Sequence, residues 1–107
     1  MPVFNFSNSI FTIQNIYFME IRPTKVKAIS LYTIWVSFTD NTEGNVDLSH
    51  LANKPIFKKW SNATFFNNVY IDSDTDAIAW DKDIELCPDS LYMKIKGVSF
   101  DKFKEMN

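Results

Sequence analysis

Six carboxylates lie close together in the stretch DSDTDAIAWDKDIE, which spans Asp72–Glu85 and holds the densest set of groups that could do chemistry. Asp at alternate positions matches the first oxygen ligands of a calcium-binding loop. The match then fails, because Ala77 stands where such a loop needs Gly for its sharp turn and Asp83 stands where it needs a bidentate Glu. Asp72 with Asp81 or Asp83 could instead hold a divalent metal for hydrolysis, although their spacing alone does not support this. We interpret these residues as the solvated tip of a hairpin and the loop after it.

The only histidine and the only cysteine are two further candidates for nucleophilic chemistry. His50 follows Ser49 and lies near Asp47, but neighbours along one helical turn do not face each other as a Ser-His-Asp triad requires. Cys87 lies beside an acidic run, which disfavours the thiolate that a nucleophile needs. The sequence therefore predicts a surface histidine at a helix start and an unreactive thiol.

Composition excludes several kinds of site. Two glycines are too few for a glycine-rich phosphate loop, and one His with one Cys cannot build a usual zinc site. We expect no cofactor. A net charge of −2 makes nucleic acid a poor default partner, because binding it depends on basic side chains. A nucleic-acid-associated regulator stays as an alternative, and its one-sided basic patch would consist of Arg22, Lys25, Lys27, Lys58 and Lys59.

The totals indicate one folded domain. A chain of 107 residues with 46% hydrophobic and 16% aromatic residues can bury a modest core. A single cysteine fits a reducing compartment, and no apolar run has the length of a signal peptide or membrane span. We therefore predict a cytoplasmic protein with no membrane contact.

Alternation of apolar and polar residues predicts two hairpins. KVKAIS and IWVSF read as strands around a turn at residues 31–33, and DNTEG (Asp40–Gly44) has the turn residues that lead into the short strand NVDL. VYID and AIAW form the second hairpin around Ser73–Asp76, and Ile84–Leu86 is a candidate further strand.

Short helices are predicted between and after the hairpins. Asp47 or Ser49 can cap a helix entry, and Pro55 suits the first turn of a helix whose apolar side is Ile56, Phe57 and Trp60. A further helix begins at Pro88 and stops at Gly97. The fold class is therefore α+β: a small, mostly antiparallel sheet of two hairpins with short helices packed on one side.

Three segments follow from this organisation. Residues 1–20 are a phenylalanine-rich extension that could be a strand or a docking segment, and the sequence leaves open whether translation starts at Met1 or Met19. Residues 21–95 are the α+β domain. Residues 96–107 are a tail or a short helix.

The order of motifs FTDNTEGNVDLSHL, IF, FF, VYID, IAW and LCPDSLY resembles a prokaryotic family known as domain of unknown function 2442. The resemblance covers residues 21–95, about 75 of 107 positions. The positions that carry it are Phe38, Asp40, Gly44, Val46, Asp47, Leu48, Leu51, Phe57, Phe66, Val69, Asp72, Trp80, Leu86, Pro88, Leu91 and Tyr92. As a set they are fairly specific, and we expect them to be structural.

Three departures accompany the resemblance. The family usually has Asp-Gly at the first turn where this chain has Asp40-Asn41, and Asn tolerates left-handed backbone, so we expect the hairpin to form. The family often has Gly at the second turn, where Asp76 stands. After the tryptophan it typically runs Pro-Asn-Gly-x-Asp, whereas residues 81–85 read Asp-Lys-Asp-Ile-Glu. Any family function carried by that loop would be altered here.

The sequence favours a non-catalytic protein-interaction module. The resemblance implies a small α+β module without established activity, found in gene pairs suspected of toxin–antitoxin or regulatory roles. A high aromatic content without a catalytic constellation supports binding to a protein partner or to a second copy. The predicted contacts are Phe4, Phe6, Phe11 and Trp60. A metal-dependent enzyme using the acidic loop is the least favoured alternative.

Overall fold

The computed structural model describes residues 20–106 of the chain. No helix in that range is long and apolar enough to cross a membrane. The predicted contacts Phe4, Phe6 and Phe11 lie outside the described residues.

The first sheet is a three-stranded antiparallel meander. Its strands are β1 (Pro23–Ser30), β2 (Thr33–Phe38) and β3 (Glu43–Asp47), with β2 in the middle. Along β2 the side chains of Ile34, Val36 and Phe38 are buried and those between them are half-buried, so the predicted alternation is confirmed.

Two residues with positive φ make the turns of this sheet. Tyr32, with φ of 68°, ends the β1–β2 turn, and Asn41, with φ of 69°, lies in the β2–β3 turn. The prediction that Asn41 tolerates left-handed backbone is confirmed. The carboxylate of Asp40 supports the second turn by accepting a hydrogen bond from the backbone N–H of Thr42.

Gly44 is not a turn residue, contrary to the prediction. It lies within β3 opposite Val36, and its Cα hydrogen faces the helix that covers the sheet. A Cβ at Gly44 would lie 2.9 Å from Cγ2 of Ile95, so the glycine permits close approach of strand and helix.

The second sheet is also a three-stranded antiparallel meander. It contains β4 (Tyr70–Ile71), β5 (Ile78–Asp81) and β6 (Ile84–Leu86), with β5 in the middle. The second hairpin and the candidate further strand are thus confirmed. The two predicted hairpins with their third strands form two three-stranded sheets.

Short helices connect and cover the sheets. Two are 3₁₀ helices, Ser49–Leu51 and Pro55–Ser61, and three are α-helices: α1 (Ala63–Asn67), α2 (Pro88–Lys96) and α3 (Phe100–Met106). Proline begins Pro55–Ser61 and α2, and Gly97 ends α2 with φ of 72°, as the sequence predicts. The architecture is α+β.

The helix Pro55–Ser61 corrects the predicted apolar side. In a 3₁₀ helix residues three apart share a face, so Phe57 and Trp60 both point into the core while Ile56 points elsewhere. Phe57 is 8% exposed and Trp60 is 0% exposed, but Ile56 is 59% exposed. Trp60, a predicted partner contact, therefore has no exposed surface in this fold, whereas Ile56 on the same helix has one.

We expect Gly44→Ala to lower the free energy of unfolding by about 1–3 kcal/mol, because the added methyl group overpacks the contact with Ile95. Urea unfolding followed by circular dichroism measures this. In an Ile95→Ala background the same substitution should cost much less. Equal costs in the two backgrounds would show that Ile95 is not the obstacle.

Candidate functional site

The acidic residues of the second sheet are used to shape its turns. Asp72 Oδ1 accepts hydrogen bonds from the backbone N–H groups of Asp74 and Thr75, at 2.8 and 3.2 Å. Asp81 Oδ1 accepts from Asp83 and Ile84, both at 2.8 Å. These bonds satisfy turn N–H groups that would otherwise depend on water.

Two of these carboxylates also meet basic side chains. Asp76 accepts from the guanidinium of Arg22, with Nε to Oδ2 at 2.9 Å. Asp81 lies 3.5 Å from Nζ of Lys59, and the turn N–H of Asp83, followed by the N–H of Ile84 and the charge of Lys59, holds the pKa of Asp81 below its ordinary value despite partial desolvation. Across residues 20–106, no three His, Cys, Asp or Glu side chains converge as metal ligands would.

His50 and Cys87 line the same pocket, a cavity of about 350 Å³ between the Ser49–Leu51 helix and α2. Its apolar wall includes Leu48, which is buried, and Leu51, which is half-buried. The carboxylate of Asp47 accepts the backbone N–H of Ser49 at 2.8 Å. That bond, followed by the Ser49 side chain, lowers the pKa of Asp47, so the third member of the rejected triad supports the turn that leads into the Ser49–Leu51 helix.

Asp40 and Tyr92 form the shortest side-chain hydrogen bond between distant parts of the described chain. The hydroxyl of Tyr92 on α2 donates to Asp40 Oδ2 at 2.6 Å. Desolvation opposes ionisation of Asp40, but the bonds from Tyr92 and from Thr42 outweigh it, and the pKa of Asp40 lies below its ordinary value. Burial, and then the bond to Asp40, raises the pKa of Tyr92. Phe38 packs edge-on against the Tyr92 ring, with centroids 5.1 Å apart.

Trp60 lies at the centre of an aromatic cluster. Its ring stacks on Phe57 at 4.3 Å and contacts Trp80 at 4.8 Å and Phe66 at 5.6 Å. Trp80 Nε1 donates to the carbonyl oxygen of Phe66 at 2.9 Å, whereas the buried Nε1 of Trp60 has no acceptor within the described residues. The cluster is part of the core. Two of the motif positions that carry the family resemblance lie in α2: Pro88 begins the helix and Leu91 lies within it.

Two of the five basic residues proposed for nucleic acid are paired with carboxylates. Arg22 is held by Asp76 and Lys59 by Asp81. Lys25 and Lys27 border a groove beside β1, and Lys58 borders a different groove. Of the five positive charges that a nucleic-acid regulator would require on one side, two are thus paired with carboxylates and three border two grooves.

The groove that contains Lys58 lies beside the exposed side chain of Ile56. It measures about 610 Å³ and runs between the Pro55–Ser61 helix and the β5–β6 turn. We call it the Ile56 groove, and its lining residues are Pro55, Ile56, Lys58, Lys59, Ser61, Asp83 and Ile84. The predicted apolar side of this helix included Ile56, because α-helical spacing places Ile56 on the same face as Trp60. In the observed 3₁₀ helix only residues three apart share a face, so Ile56 lies outward.

A small α+β scaffold with open surface grooves is the class that this fold and its surface define. The sequence model described as "Protein of unknown function (DUF2442)" matches residues 23–97. That span is more than half of the chain, so the protein belongs to the DUF2442 family, and the resemblance stated from the motifs is confirmed. No curated protein and no solved structure matches the chain.

We expect Tyr92→Phe to lower the free energy of unfolding at pH 7 by about 1–2 kcal/mol, the lower part of the range for hydrogen bonds to charged groups, because Asp40 is partly exposed to water. Tyr70→Phe, at an exposed tyrosine, is the matched control. Urea titrations of both variants measure the change.

The same variant should flatten the acid dependence of stability. Folded Asp40 has a pKa below its ordinary 3.8, so its contribution is complete above 3.8 and is lost as the pH falls through the lower folded value. Without the Tyr92 hydroxyl the folded pKa rises, and less stability is lost between pH 7 and pH 3. An unchanged acid dependence would contradict this assignment.

Proposed function

We propose that this protein is a non-catalytic interaction module that binds a protein partner through the Ile56 groove. The observation that carries the proposal is an isoleucine side chain, 59% exposed, at the edge of a groove whose other wall is the buried Ile84. A partner that covered Ile56 would remove its apolar area from water, which favours binding at this position.

The charges around the groove favour a particular partner chemistry. Lys59 is close to Asp81, while Lys58 makes no ion pair with any residue that the structure describes. A carboxylate next to an apolar side chain on the partner would meet Lys58 while the apolar group covers Ile56. Asp83 at the opposite wall restricts where that carboxylate can lie.

The use of the acidic residues supports a role without catalysis. Asp72 and Asp81 each commit a carboxylate oxygen to two backbone N–H groups, and Asp76 is bound by Arg22. A metal-dependent hydrolase would need several of these oxygens aimed at one ion. Calorimetric titration with magnesium or manganese tests that alternative, and uptake of one ion per chain would support it.

The resemblance of the sequence suggests which partner to try first. The family is found in small gene pairs suspected of toxin–antitoxin or regulatory roles, so the product of the adjacent gene is the natural candidate. Light scattering on the full chain, alone and co-expressed with that product, tests the proposal. A complex of defined mass supports it, and two separate species would count against it.

We expect Ile56→Ser to weaken the complex at least about tenfold, because the partner loses its apolar contact with Ile56 at the edge of the groove. Ile29→Ser is the matched control, since Ile29 is an exposed isoleucine on another element. Calorimetry or surface binding with the purified partner gives both dissociation constants. Equal losses in the two variants would show that the groove is not the binding site.

A further inference from the structure

The side of the first sheet that faces away from the core carries two stripes of opposite charge. We call it the outer face, and it consists of Lys25 and Lys27 on β1, Thr33, Trp35 and Ser37 on β2, and Glu43, Asn45 and Asp47 on β3. The lysines lie along one edge and the acids along the other, with the tryptophan ring in the middle. The five residues of the two outer strands are exposed.

The two stripes do not neutralise each other within one molecule. Lys25 and Glu43 lie opposite the same residue, Ser37, from its two sides. Strands are about 4.8 Å apart, so the two backbones are separated by about 10 Å. No ion pair joins the stripes within the described residues. Lys27 instead lies over the ring of Trp35, 5.5 Å from its centre.

We propose that the outer face binds the outer face of a second copy of this chain. A two-fold axis parallel to the strands, passing over β2, places β1 of each copy above β3 of the other. Lys25 then lies over Glu43 of the other copy, because both are level with Ser37. Lys27 lies over Asn45, between the two acids, and the Trp35 rings of the copies meet at the axis.

The charges select this axis over the alternative. A two-fold axis perpendicular to the strands would place β1 over β1 and set lysine against lysine. The parallel axis replaces that repulsion by two equivalent sets of opposite charges, as an isologous contact requires. Sheets packed with their strands nearly aligned are about 10 Å apart, which leaves room for the tryptophan rings and lysine stems.

The area of the contact is small, and this limits the affinity of the dimer. Three strands of about five residues cover roughly 14 Å by 17 Å, well below the ~800 Å² that each partner of a stable complex buries. The outer face therefore supports a concentration-dependent equilibrium between monomer and dimer. This surface is separate from the Ile56 groove, so the inference does not rest on the proposed function.

The test is a charge exchange on the full-length chain, measured by sedimentation equilibrium at low salt. Lys25→Glu or Glu43→Lys alone should raise the dimer dissociation constant about tenfold or more, since symmetry places two like-charge contacts in each variant. The double variant K25E/E43K should return to within about threefold of the parent, because the opposite charges again face each other. A salt increase should weaken the parent dimer.

Lys102→Glu, a reversal of an exposed lysine on α3, is the matched control and should leave self-association unchanged. Urea unfolding of each variant checks that the sheet is intact. Trp60 and Trp80 are 0% and 5% exposed, so a change of tryptophan fluorescence with concentration reports chiefly on Trp35.

Three results would overturn the proposal. They are a parent chain that stays monomeric up to about 1 mM, a double variant as weak as its single parents, and a Lys25→Glu variant that associates more tightly. The last would indicate the perpendicular axis. Ile56→Ser should leave self-association unchanged, so failure here and failure of the partner groove are distinguished.

Discussion

Tyr92 joins three parts of the described structure, through its hydrogen bond to Asp40 and the contact of its ring with α3. Asp40 belongs to the β2–β3 turn, Tyr92 lies in the middle of α2, and the Tyr92 ring contacts Phe103 of α3 at 5.5 Å. The ring is fully buried, so the hydroxyl needs an acceptor at this position. This hydrogen bond anchors α2 against the sheet, and the same helix approaches β3 closely at Gly44.

The aromatic cluster joins the elements that this anchor does not reach. Trp60, from a 3₁₀ helix, contacts Phe66 of α1 and Trp80 of β5, and Tyr32 from the β1–β2 turn packs edge-on against Phe66 at 6.0 Å. Large planar rings fill this space with few rotatable bonds. The proposed partner groove lies on the outside of the same helix, so the rigid inner face fixes where Ile56 stands.

Local features of the fold could be read from the sequence because their causes are local. The alternation in β2, the left-handed Asn41, the prolines that begin two helices and the glycine that ends α2 each depend on a few neighbouring residues. The role of Gly44 could not be read in this way, since it depends on Ile95, a residue 51 positions later. The partner of Asp40 is distant for the same reason.

The candidate site was predictable only in part. The Pro55–Ser61 helix was expected. Its three-residue period, however, buries Trp60, which was the predicted contact, and leaves Ile56 exposed. The charge stripes on the outer face were present in the sequence as alternate positions of three strands, yet pairing those strands required the register of the whole sheet. The phenylalanine-rich first residues lie outside the described part, so their predicted contacts stay predictions.

Asp76 has an unfavourable backbone conformation, and its side chain makes a favourable contact there. Its φ of 63° lies in the region that glycine occupies most easily, and the family that this chain resembles often has glycine at the second turn. Its carboxylate, however, accepts two hydrogen bonds from Arg22, which directly precedes β1. The hairpin of one sheet is thus connected by an ion pair to the residue that precedes the first strand of the other, in addition to the contacts of the aromatic cluster. A relative with glycine at this position would have a more relaxed turn and no such connection, so the mutual rigidity of the two sheets is a property on which members of one family can differ while sharing every strand.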